Sequence, residues 1–154
     1  MLYAATRNKS DIETAYKTIH QDSKSDGGLF VPFRMPQFTV GEIIKMSECS
    51  FGENVANILN IFFSSKLSGL DVDFAVGRAP VQISSISHRI LIGECWHNSQ
   101  WNFKHLLQVL SDRVRTENTG AEPTNWVQIA IRIAVLFGIY SVLLKDGKVD
   151  VNTP

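Results

Sequence analysis

Lys104 sits among Trp96, Trp101 and Phe103 in the stretch ECWHNSQWNFKHLL, residues 94–107, with His97 and His105 close in sequence. A lysine amine that forms a Schiff base with an aldehyde must spend time unprotonated. Apolar or cationic surroundings favour that state by lowering its pKa from about 10.4 toward neutrality. The same composition suits a snorkelling lysine whose stem lies along the aromatics and whose ammonium stays in water. The residues alone leave both readings open. Cys95, His97 and His105 are also zinc-ligand types, but their spacing matches no recurrent motif and no fourth ligand stands nearby. A Cys–His nucleophile built on Cys49 is equally unconstrained, and its bland counterpart is a small buried thiol. His20 and His88 fall in segments that read as solvated loops. The chain has no GxSxG, no Walker loop and no GxGxxG.

The elements that must position these residues follow from the rest of the chain. At 154 residues, with 44% hydrophobic and 19% charged residues, the length and balance are those of one globular domain with a real core. Fifteen basic residues balance fifteen acidic ones, so the chain offers no electrostatic footprint for nucleic acid or an anionic membrane. Two cysteines cannot make a disulfide framework, and the N-terminal residues hold no apolar run of signal-peptide length. A cytoplasmic protein is the expectation.

Met1 to Arg7 suits a short strand. Ser10 and Asp11 then precede Ile12, Ala15, Tyr16 and Ile19 at helical spacing, with Ser10 and Glu13 a candidate capping box. Gly27 and Gly28 predict a tight turn, Leu29 to Val31 a short buried strand, and Pro32 and Pro36 bracket an extended segment. The paired glycines could cradle a phosphate only before a helix N-terminus; proline follows instead, so they read as structural. Thr39 caps a predicted helix through Glu42 to Met46. A second covers Gly52 to Phe63, with Val55, Ile58, Leu59 and Phe62 on one face. Leu67 to Val76 holds another short helix, whose Asp71 and Asp73 share no face. Val81 to Ile86 and Arg89 to Gly93 alternate as paired strands, Leu106 to Val114 reads as a helix, and residues 115–124 read as a polar loop. Trp126 to Leu144 is long enough to span a membrane, but Arg132 in its first half favours a buried core helix. Lys145-Asp146-Gly147 ends it, and Lys148 to Val151 could begin a strand.

The order of these segments resembles threonine synthase, which uses pyridoxal phosphate to convert O-phosphohomoserine and water to threonine and phosphate. Tyr3 to Asn8 (YAATRN) is similar to the opening YxSTRG of that family, and Asp26 to Pro36 (DGGLFVPFRMP) to its DGGLFVP-x-x-x-P. Arg78 to Val81 (RAPV) keeps its place. The family's LELFHGPTLAFKDFG is overlaid by IGECWHNSQWNFKHLL, with Lys104 on the aldimine-forming lysine, His97 on the histidine and Phe103 on the phenylalanine. Asn98, Ser99 and Gln100 replace Gly-Pro-Thr, and His105 replaces the aspartate after the lysine. Asn125 to Leu144 resembles the family's NWARILPQIVYYFYAYLQL, and Lys148 to Pro154 resembles the start of its KVDFVVPTGNFGN.

The resemblance implies an α/β fold, a small mixed sheet flanked by helices as in the N-terminal part of threonine synthase. It implies an N-terminal-like region over 1–80 and a remnant of the cofactor domain over 81–154, packed as one compact unit. It makes Lys104 the catalytic Schiff-base residue and Lys104, His97 and His105 the residues nearest pyridoxal phosphate. It covers nearly all of this chain, whereas the chain covers only the front portion of such an enzyme, with an internal deletion. The cofactor's phosphate cradle lies in the part not covered, so catalysis by this chain alone is not expected. The alternative is a non-enzymatic binding or assembly module that keeps the fold. Exposed sheet edges and the apolar helix would favour a homo-oligomer, or a partner chain that completes the site.

Overall fold

A computed structural model describes residues 1–21, 26–76, 82–87, 90–94 and 125–150 of the chain. The described elements run β1 (Leu2–Ala5), β2 (Ile12–Thr14), α1 (Ala15–His20), β3 (Phe30–Pro32), α2 (Val40–Glu48), α3 (Phe51–Phe63), α4 (Gly69–Val76), β4 (Gln82–Ser87), β5 (Ile90–Glu94) and α5 (Asn125–Lys145). They form a small α/β fold with a three-stranded sheet of order β2-β1-β3 and a separate β4-β5 hairpin, antiparallel throughout. The register of β4 on β5 shifts between Ser85 and Ser87, which marks a bulge at the end of β4.

α3 is the centre of the molecule. Val55, Ile58, Leu59 and Phe62, the four residues on its predicted apolar face, are each 2% exposed or less. α5 packs along it more extensively than any other element and contributes Ala130, Ile131, Ala134 and Val135 to the same cluster. Small residues make that approach close. A Cβ on Gly138 of α5 would stand 2.9 Å from the Phe51 ring, and Gly69 of α4 lies against the backbone of Glu53. The long apolar segment is therefore a core helix. Among the described residues no helix is long and apolar enough to cross a membrane.

The sheet reaches this core through Tyr3, which is fully buried and donates its hydroxyl hydrogen to the Phe62 carbonyl at 2.7 Å. Tyr3, Ala5, Ala15 and Phe30 form a second buried cluster on the sheet's inner face. Asn60 organises the turn between α3 and α4: its Nδ2 donates to the Leu67 carbonyl, and its Oδ1 accepts from Leu67 N and Ser65 Oγ. Ser64 closes α3 in the left-handed conformation at φ 55°. α5 ends in a Schellman motif, with Gly147 at φ 66° and backbone bonds from Gly147 to Leu144 and from Lys148 to Leu143.

Three local expectations change. Ile12 to Thr14 is a strand, and α1 starts only at Ala15. Two β-branched residues gain ladder bonds to β1 there, which outweighs a first helical turn. Ser10 accordingly bonds Asn8 Oδ1, while Glu13 pairs with Lys17, so the capping box does not form. Of the predicted buried strand only Phe30 is buried; Leu29 and Val31 point to the other face and are exposed. Residues 148–150 form no strand.

Candidate functional site

Two of the stretches that carry the sequence resemblance, YAATRN and DGGLFVPFRMP, meet in space. Thr6 N donates to the Leu29 carbonyl at 2.8 Å, and Leu29 N returns a bond to Thr6 Oγ1 at 3.0 Å. Asp26 Oδ1 accepts from Gly28 N at 2.8 Å and closes the turn, which Gly27 passes through at φ 76°. The Arg7 guanidinium donates to the Asp26 carbonyl and lies across Gly27, where an added Cβ would stand 3.5 Å from it. This clamp joins β1 to β3 around one tight turn. Its carboxylate, Asp26, is engaged by Gly28 N and its hydroxyl, Thr6, by Leu29 N, so its role is structural, as its glycines suggest.

The helix N-termini show where an anion can and cannot sit. α2 begins with Thr39, whose side chain accepts from Glu42 N while Glu42 accepts from Thr39 N at 2.7 Å. α3 repeats the arrangement with Ser50 and Glu53, again at 2.7 Å. At α4, Ser68 N and Oγ donate to Asp71 Oδ2, and Asp71 N donates back to Ser68 Oγ. Hydrogen bonds from the Thr39 and Ser50 backbones hold the Glu42 and Glu53 carboxyls below their ordinary range. Each of these three helices thus fills its positive end with its own carboxylate. A cofactor phosphate would compete with a built-in anion at every one of them, so these residues do not fit a phosphate cradle.

An open groove of about 500 Å³ runs between α2 and α3, floored by Phe38, Met46 and Ile61 and rimmed by Lys45 and Asn57. Phe38 also stacks, tilted, 5.6 Å from Phe137 of α5. Asn54, fully buried on α3, donates Nδ2 to the Met46 carbonyl and so ties the end of α2 to the core; its Oδ1 has no partner among the described residues. Sequence reasoning missed Asn54, Asn60 and Arg7. Asparagine in a helix interior is a poor helix former and is the one signal that could have flagged the first two.

Lys104, His97 and His105 lie outside the described residues, as do Cys95, Trp96, Trp101, Phe103, His88, the RAPV stretch, the expected helix over 106–114 and the loop over 115–124. Among the described residues no group of three or more His, Cys, Asp or Glu could hold a metal ion. Cys49 is half-buried, and its thiol points to the Lys45 carbonyl at 3.8 Å.

Comparison with known proteins agrees with this geometry. The fold is similar to the crystal structure of threonine synthase from Escherichia coli, with a TM-score of 0.57 at 19% sequence identity, over 73% of this chain and 28% of that one. The chain thus spans little more than a quarter of that protein's length. No curated protein sequence matches it. Residues 2–79, just over half of the chain and including both halves of the Arg7–Gly27 clamp, match the threonine synthase N terminus. The chain therefore belongs to the threonine synthase N-terminal family.

Proposed function

We propose that this chain is a threonine synthase-like protein whose N-terminal region is a scaffold, and that by itself it does not convert O-phosphohomoserine. The observation that carries this reading is the closure of α2, α3 and α4 by their own carboxylates. Pyridoxal phosphate is held by a phosphate cradle and a ring-nitrogen partner as well as by a lysine, and the N-termini of α2, α3 and α4 leave no open cradle for the phosphate. When bound, the cofactor supplies an electron sink for carbanion chemistry. In this reading Lys104 is the Schiff-base residue, with His97 and His105 beside it, and a separate polypeptide segment must supply the phosphate site. Residues 1–80 act as the family's N-terminal region, and residues 81–154 add elements of the cofactor domain to its core.

The test is phosphate release from O-phosphohomoserine in the presence of pyridoxal phosphate. The expected rate for the purified chain equals that of its Lys104→Ala variant. A rate for the wild type at least tenfold above the variant would overturn the reading. The second reading, a binding module without chemistry, is favoured by the apolar surface that the sheet leaves exposed.

A further inference from the structure

We draw no further inference here: the strongest candidate, the outer face of the three-stranded sheet with exposed Leu2, Ile12, Leu29, Val31 and Phe33, carries none because nothing in the structure shows what covers it.

Discussion

α2 and α3 follow one another in the chain and open with the same reciprocal capping box, yet their energetics differ. None of the nine residues of α2 is buried, whereas eight of the thirteen in α3 are. Both caps fix where a helix starts. Only burial makes a helix part of the cooperative core, and α3 has α5 on one side and α4 on another. α2 is instead held by its end, through Asn54 to the Met46 carbonyl, and by packing against α5. The lesson is that a local sequence signal reports a boundary and says little about how much the element matters.

Truncations break the comparison most directly. Leu59→Ala should cost about 2–5 kcal/mol of global stability, and Ile44→Ala on exposed α2 about 0.5 kcal/mol or less, both read from urea unfolding midpoints. Equal losses would mean that α2 is as much a part of the core as α3. The paired glycines come next. A Cβ on Gly52 would stand 2.7 Å from the Gly69 carbonyl oxygen and run into Asp73, whereas one on Gly41 meets nothing within 4 Å. Gly52→Ala should therefore destabilise by about 1–3 kcal/mol, while Gly41→Ala should stabilise α2 by about 0.5–1 kcal/mol.

The caps sharpen the contrast at smaller scale. Ser50→Ala and Thr39→Ala each remove one side-chain acceptor, worth about 1 kcal/mol. The first should lower global stability, and the second should appear only as faster amide hydrogen exchange within α2. The smallest effect is in acid. Glu42 and Glu53 have folded pKa values below their unfolded value of 4.5, so their stabilisation is complete above that pH and is lost as pH falls through the lowered folded values. Glu53→Gln should flatten the acid limb of global stability in a pH series. Glu42→Gln should leave that limb unchanged and alter only exchange in α2.

Where the signal was local, the sequence was readable. The apolar face of α3, the Thr39 cap, the glycine turn at Gly27, the β4–β5 pairing and the glycine stop after α5 all follow from short-range patterns, and the structure contains each. The start of α1 was not readable, because Ile12 and Thr14 gain more from pairing with β1 than from a helical turn, and that partner is set by register. The exposure of Leu29 and Val31 was hidden for the same reason: a run of three apolar residues does not reveal which face meets the core. The clamp between Arg7 and Asp26 joins residues nineteen apart, although each half was legible as a motif. The cofactor residues were legible only through resemblance, because an aromatic-flanked lysine has the same composition whether it reacts or merely snorkels.

The most direct test of the central claim, that this chain is a scaffold without its own phosphate cradle, is a titration with pyridoxal phosphate followed by visible absorbance. Wild type and Lys104→Ala should give the same weak, non-saturating aldimine signal from surface amines. A saturable band present in the wild type, lost in Lys104→Ala and competed by inorganic phosphate would contradict the account and show a complete cofactor site within these 154 residues.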